Sequence, residues 1–307
     1  MTSSLEILTG DLRKAAEAGN PFAQFEIALS LDYGNDGEQN FTSAAEWYSK
    51  AAAQGHTSAE GNLLLQHIFG QAQIWAPEEV FKRLLELAGS GDTEWENNVG
   101  LCYQHGFGTP QDYEKAVEWY TRAAHGGSGT AQFNLGGMYY EGTGVEKNLD
   151  LAVRWYTRSA QQREELALLH LGSMYQKGIG VETDLTRARV LYSVAYRLGS
   201  SRAANHLGIL FKRGLGVERN DFLAYQLFQE SITRPDTPNA EENRSYRGTA
   251  CYWLGYMTEH GEGVERDLRK ARKWYKQGAA CGQPKCVEAV ARLGADTRGK
   301  QCRDATL

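Results

Sequence analysis

Six glycines, Gly34, Gly70, Gly106, Gly142, Gly178 and Gly214, follow one another at a constant interval of 36 residues. Gly100, Gly136, Gly172 and Gly208 keep the same interval, and Trp47, Trp119 and Trp155 fall on the same lattice. A fixed period of this size means that the chain repeats one small supersecondary unit and that each unit stacks on its neighbours. It constrains the architecture more tightly than composition does. It also directs the search for function toward extended surfaces, which is where repeat arrays act.

The unit reads most clearly over residues 129–163. Ala131, Leu135 and Tyr139 recur at steps of four, the spacing of one helix face. Gly136 beside them leaves room for a neighbouring helix. Gly142-Thr143-Gly144 predicts the end of that helix, since glycine takes the left-handed backbone of a C-cap at little steric cost. Val145 then returns an apolar side chain toward the core. Asn148 or Asp150 is placed to cap a second helix, whose Leu151, Ala152, Trp155, Tyr156 and Ala160 form a broad apolar stripe. Neither helix can bury its face alone, so each pair must stack on the next.

Seven such pairs can be laid out. First helices are expected near 21–33, 57–69, 93–105, 129–141, 165–177, 201–213 and 247–260. Second helices are expected near 41–55, 77–89, 111–126, 148–162, 184–199, 220–232 and 267–281. Residues 5–19 read as a capping helix, because Lys14-Ala15-Ala16-Glu17-Ala18-Gly19 lies one period before Lys50-Ala51-Ala52-Ala53-Gln54-Gly55. Residues 284–293 read as its counterpart. A single array over residues 1–295 results, with repeats at 21–56, 57–92, 93–128, 129–164, 165–200, 201–246 and 247–283, followed by a flexible tail at 296–307.

Two places break the rhythm. Between Gly208 and Gly255 the interval is 47, an insertion at 233–244 whose Pro235, Asp236, Pro238 and Asn239 read as an exposed loop. In the second repeat Leu64 takes the glycine slot, Arg83 takes the tryptophan slot, and Gly70-Gln71-Ala72 replaces Gly-x-Gly. A deviant repeat is a place for specific function or a local bend, or it is tolerated drift.

The pattern Ala-x-x-x-Leu-Gly-x-x-Tyr-x-x-Gly-x-Gly-Val, followed by Ala-x-x-Trp-Tyr-x-x-Ala-Ala-x-x-Gly, resembles the Sel1-like repeat family, a relative of the tetratricopeptide repeats. Its strongest instances are Leu135-Gly136, Tyr139, Gly142-Thr143-Gly144-Val145, Ala152 and Trp155-Tyr156, then Leu171-Gly172, Tyr175 and Gly178-Ile179-Gly180-Val181. Leu207-Gly208 with Gly214-Leu215-Gly216-Val217 follows, as does Leu254-Gly255 with Gly261-Glu262-Gly263-Val264 and Trp274-Tyr275. The resemblance implies an all-α fold, a right-handed α/α superhelix of about seven helix-turn-helix repeats with capping helices at both ends. It also implies a non-enzymatic protein that binds other proteins as an adaptor. Some family members carry repeat-linked disulfides and a penicillin-binding label, and the cysteines here do not follow that pattern.

Composition bounds the remaining classes. Hydrophobic residues make up 41% of the chain and charged residues 23%, the balance of a globular domain. No apolar run approaches the roughly 18–20 residues needed to span a bilayer, and the first residues lack the basic and apolar regions of a signal peptide. The five cysteines, Cys102, Cys251, Cys281, Cys286 and Cys302, do not recur with the repeat, which fits reduced thiols in a cytoplasm. Cys281 and Cys286 have no nearby ligand partners in sequence, so their spacing alone is a weak zinc signal. Residues 1–150 hold 8 Lys and Arg against 21 Asp and Glu, and residues 151–307 hold 25 against 17. That polarity either orients a partner or head-to-tail self-association, or is surface drift.

Catalytic signatures are missing from the sequence. It holds no Ser-x-x-Lys, His-Glu-x-x-His, Cys-x-x-Cys or Walker loop. The Gly-x-Gly-Val turns follow helix C-termini, the wrong end of the dipole for a phosphate. His170 and His206 share one slot with Asn62, Asn98 and Asn134, which reads as a polar ladder rather than a metal site. The aromatic residues of the second helices read as core, and the acidic first half opposes nucleic acid. No cofactor, metal, nucleic acid or membrane insertion is expected; the expected partner is a protein or peptide. The rivals to that reading are a β-lactam or cell-wall hydrolase and an immunity or sequestering protein for a bacterial toxin.

By resemblance, first helices line the concave wall, and four slots on each face a partner. They are Asn97, Leu101, Gln104 and His105; Phe133, Gly137, Tyr140 and Glu141; Leu169, Ser173, Gln176 and Lys177; and Asn205, Ile209, Lys212 and Arg213. Phe133, Tyr140 and Ile209 stand out as anchors, unless Phe133 and Ile209 pack between repeats. The sign change from Glu141 to Lys177, Lys212 and Arg213 suits an extended peptide with one basic and one acidic end.

Overall fold

The computed structural model describes residues 4–35, 39–71, 74–233 and 240–293, all helix and short turn, with no strand among them. A lone helix α1 (Ser4–Glu17) precedes the pairs α2 (Pro21–Tyr33) with α3 (Phe41–Ala52), α4 (Thr57–Ile68) with α5 (Pro77–Ala88), and α6 (Thr93–His105) with α7 (Tyr113–His125). Then come α8 (Gly129–Glu141) with α9 (Leu149–Gln161), α10 (Glu165–Lys177) with α11 (Leu185–Arg197), and α12 (Ser201–Arg213) with α13 (Asp221–Thr233). The last pair is α14 (Ala240–His260) with α15 (Leu268–Ala280), and α16 at 284–293 ends the described chain. Most of the insertion loop (234–239) and the tail expected at 296–307 lie outside the described residues.

Two compact units result, Met1–Ala131 with Gly142–Glu146, and Gln132–Glu141 with Lys147–Leu307. In the first, Ala28, Tyr48, Ala59 and Leu63 centre one apolar cluster, and Leu64, Val80, Leu84 and Val99 another. In the second, Tyr156, Leu168, Leu171, Tyr192 and Leu207 form a shared core, continued by Phe228 with Leu254 and by Tyr275 with Cys286.

Local sequence explains where the helices start and stop. Asn148 Oδ1 accepts the Leu151 N–H at 3.0 Å and so caps α9, which selects Asn148 over Asp150; Asp184 does the same for α11 through the Arg187 N–H at 2.9 Å. Each such cap is worth about 1 kcal/mol. Helix α10 ends at Gly178, whose φ of 70° lies in the left-handed region. The second glycine of that turn, Gly180, serves the stack: a β-carbon there would meet Leu149 Cβ at 2.7 Å, in the first turn of the preceding second helix. Gly216 meets Leu185 in the same way one repeat later, with a β-carbon at 2.5 Å.

A second recurrent contact joins the two helices of a pair. The glycine following the consensus leucine faces the ring of an aromatic residue on the second helix: Gly100 with Tyr120, Gly136 with Tyr156, Gly172 with Tyr192, Gly208 with Phe228, and Gly255 with Tyr275. The deviant repeat keeps this contact by exchange, since Leu64 and Leu84 take the two slots and both are fully buried. Trp155 is buried in the core, whereas Trp47 and Trp119 are only partly buried. Trp47, Trp119 and Trp155 are roofed by a cation three residues on, with Lys50 Nζ, Arg122 Cζ and Arg158 Cζ at 4.0, 4.4 and 4.6 Å from the ring centroids.

Most helix ends fall within three residues of the sequence reading, and one boundary differs by more. Helix α14 begins at Ala240 rather than near 247 and runs for 21 residues, so the end of the insertion extends a first helix instead of forming only a loop.

Candidate partner-binding wall

The slots expected to face a partner fall on the first helices of both units, and the structure sorts them by burial. In the first unit Asn97 is buried and Leu101 is half-buried. Gln104 Oε1 accepts the Tyr120 hydroxyl at 2.5 Å, which makes it part of the helix-pair lock. His105 is exposed.

In the second unit Phe133 is half-buried, its ring 5.5 Å from Tyr156 and 5.4 Å from His170. Tyr140 is half-buried beneath the Lys147 ammonium, 5.7 Å away, and Glu141 is exposed. Ser173 and Ile209 are half-buried, while Lys177 and Arg213 are exposed. Gln176 repeats the role of Gln104, accepting the Tyr192 hydroxyl at 2.9 Å.

Four expectations are corrected. Asn97, Leu169, Asn205 and Lys212 are buried, so their side chains are not presented to a partner. Leu169 belongs to the shared core of the second unit. Asn205 donates to the Tyr246 carbonyl at 2.8 Å, because the extended start of α14 lies over α12. Lys212 is 7% exposed and is held by Asp221, at 3.0 Å, and by Glu262. In four other repeats this slot carries the acceptor for the second-helix tyrosine, as Asp32, Gln104, Gln176 and Glu259 do, and here the facing ring is Phe228, which has no hydroxyl to donate. Arg219 also forks onto Asp221, at 2.7 Å, and the arginine and then Lys212 hold the Asp221 carboxyl below the usual range.

The column with His170 and His206 is a stacking ladder. Three of its residues lie against the ring of the preceding repeat's second helix: Asn62 Nδ2 donates to the Tyr48 hydroxyl at 3.0 Å, His170 lies 5.5 Å from Tyr156, and His206 stacks on Tyr192 with centroids 4.5 Å apart and planes 7° apart. Burial, with Lys177, Arg202 and His170 nearby, pushes the His206 imidazole down to about 4. No group of three His, Cys, Asp or Glu that could hold a metal occurs among the described residues.

Three wall residues were missed by the sequence reading. Carried across the insertion with a step of 47 instead of 36, the Asn205, His206 and Ile209 slots become Tyr252, Trp253 and Tyr256. All three are half-buried, and their rings form one cluster: Tyr252 to Trp253 at 5.4 Å, Trp253 to Tyr256 at 5.9 Å, and Tyr256 stacked on His260 at 4.2 Å. The Arg213 guanidinium lies 5.5 Å over Trp253 and the Lys285 ammonium 5.4 Å over Tyr252. An aromatic surface under fixed cations suits carboxylates with apolar neighbours.

The sequence profile of the Sel1 repeat matches residues 21–56, 96–128, 129–163, 166–200, 201–236 and 248–283, passing over the deviant second repeat. Among solved structures, c5321, a protective antigen of uropathogenic Escherichia coli strains with an SLR fold, is 28% identical with a TM-score of 0.69, over 93% of this chain and 59% of that one. A Sel1 repeat protein from Oxalobacter formigenes is 27% identical with a TM-score of 0.63, over 74% of this chain and 84% of that one. The chitin synthase regulator SKT5 of Saccharomyces cerevisiae is 28% identical over 114 residues, 36% of this chain and 16% of the regulator. This chain thus spans little more than half of the antigen and a small part of the regulator. The fold class is the all-α solenoid of these helix-pair repeats, and the chain belongs to the Sel1 repeat family.

Proposed function

We propose that the chain is a non-enzymatic adaptor, acting in the cytoplasm, that binds an extended peptide or protein segment along the first-helix wall. The observation that carries this reading is the Tyr252, Trp253 and Tyr256 cluster with Arg213 and Lys285 over its rings. Rigid aromatic residues and arginine dominate binding energy where proteins meet. The exposed charges of the second unit change sign along its first helices, from Glu141 to Lys177 and Arg213. A segment with a basic end and an acidic, aromatic-binding end matches that order. The yeast relative regulates an enzyme, which supports a regulatory adaptor over a hydrolase.

The test places a photo-crosslinking amino acid at Tyr256 and, as control, at the exposed Arg154 on the second-helix side. A partner captured through position 256 and not 154, with affinity lowered by Arg213→Glu and Trp253→Ala, is the expected result. Equal capture from both positions, or affinity unchanged by both substitutions, removes the wall assignment.

A further inference from the structure

The second-helix side of the same unit carries a cleft that the wall does not use. It lies between the C-terminal ends of α9 and α11, has a volume of about 570 Å³, and is floored by Leu168, Leu171, Leu191 and Val194. It coincides with a departure of the fifth repeat from three of the others. In repeats one, three and four the Leu191 slot is Trp47, Trp119 or Trp155, and the Val194 slot is the cation that roofs it, Lys50, Arg122 or Arg158. The fifth repeat has lost both, and the space an indole and its roof would fill stands open. Leu198 at the rim is 46% exposed.

The rim is cationic. Arg163 and Arg197 line it, both are exposed, and neither has an ion-pair partner among the described residues; no Asp or Glu lines the cleft. Arg163 is also the only non-glycine residue with positive φ among the described residues, at 65°. The matching position is Gly19, Gly55, Gly91, Gly127, Gly199 and Gly282 in other repeats, all with positive φ. Here a side chain is kept in a backbone state that disfavours it, at the edge of the open apolar cleft.

We propose that this cleft binds an acidic peptide segment that inserts a large apolar side chain between α9 and α11, with its carboxylates on Arg163 and Arg197. The apolar floor takes the anchor, and the two unpaired guanidiniums select negative charge beside it. Because the cleft is open to solvent above its floor, the rest of the ligand stays outside, as the backbone of a polypeptide would. This surface is separate from the first-helix wall and stands or falls independently of it.

The experiment is fluorescence anisotropy of the full chain with a labelled, end-blocked peptide, Asp-Glu-Phe-Leu-Asp-Glu, against a control with lysines for the acids. Saturable binding of the acidic peptide alone is expected. Leu191→Trp combined with Val194→Arg, which installs the pair of repeats three and four, weakens it about tenfold. Arg197→Gln and Arg163→Gly each weaken it about threefold, while Arg163→Gly leaves the melting temperature unchanged or higher. No saturable binding, equal binding of the lysine peptide, or full affinity in the refilled cleft overturns the proposal. Decanoate binding where the peptide does not would assign the cleft to a small apolar acid instead. If the refilled variant does not fold, the exposed Arg197→Gln decides: unchanged affinity overturns the proposal.

Discussion

A β-carbon added to Gly172 would stand 2.6 Å from Cε1 of Tyr192, a ring with no solvent exposure. Real β-carbons do not approach so closely, so Gly172→Ala must displace Tyr192 and with it the hydroxyl that donates to Gln176. Overpacking costs about 1–3 kcal/mol, against up to about 1 kcal/mol gained from helix propensity. The net expectation is a lower urea midpoint. Exchanging both partners, Gly172→Leu with Tyr192→Leu, copies the buried Leu64 and Leu84 of the second repeat and recovers part of the loss. A midpoint unchanged in the single variant refutes the lock.

This contact shows how much of the fold was legible. Gly172 and Tyr192 announce themselves by recurrence, and helix ends follow from glycines and Asn or Asp caps that act over three or four residues. What the sequence hides are contacts that depend on a neighbour's exact length. Asn205 reads as a wall residue until the extended α14 brings the Tyr246 carbonyl to it. Tyr252, Trp253 and Tyr256 were readable in principle, but only by continuing the slots across an insertion that shifts them by 11 residues. Leu191 was visible as a missing tryptophan, yet sequence alone does not say whether neighbours close the space it leaves.

Lys212 is predicted to matter for folding and Arg213, its exposed neighbour, for binding. Lys212→Met removes the ammonium shared by Asp221 and Glu262. Arg219 still neutralises Asp221, so the cost should fall near about 1–3 kcal/mol rather than the larger penalty of an uncompensated buried charge. Thermal melting should show a clear drop for Lys212→Met and little change for Arg213→Glu. The reverse order would mean that the ion-pair cluster does not hold this turn.

Acid should loosen the second unit before its carboxylates titrate. His206 is held to about 4 in the fold, first by burial and then by Lys177, Arg202 and His170, against roughly 6.5 in an unfolded chain. Between those values the unfolded chain binds a proton that the folded chain refuses, so stability falls as pH drops from about 6.5 toward 4. His206→Asn, the residue type of the Asn134 slot, should flatten that part of the melting-temperature profile. The lowered carboxyls of Asp221 and Glu259 contribute the opposite kind of group with the same direction: their stabilisation is present above the ordinary carboxylate range and is lost below it. An equal slope in wild type and His206→Asn between pH 6.5 and 5 would remove the histidine from the account.

The four described cysteines should differ sharply toward a thiol reagent. Cys102, Cys251 and Cys286 are buried, and burial pushes each thiol up to about 12, so almost no thiolate is available at neutral pH. Cys286 is further enclosed, its Sγ only 2.4 Å from where a β-carbon on Gly278 would stand. Cys281 is partly exposed at the end of α15. Brief treatment of the native chain with iodoacetamide, followed by peptide mass mapping, should therefore modify Cys281 first among these four, and all four together only after denaturation. Early labelling of Cys286 would show that α16 leaves α15 readily, and that the terminal core of Tyr275, Cys286 and Ala289 is open in solution.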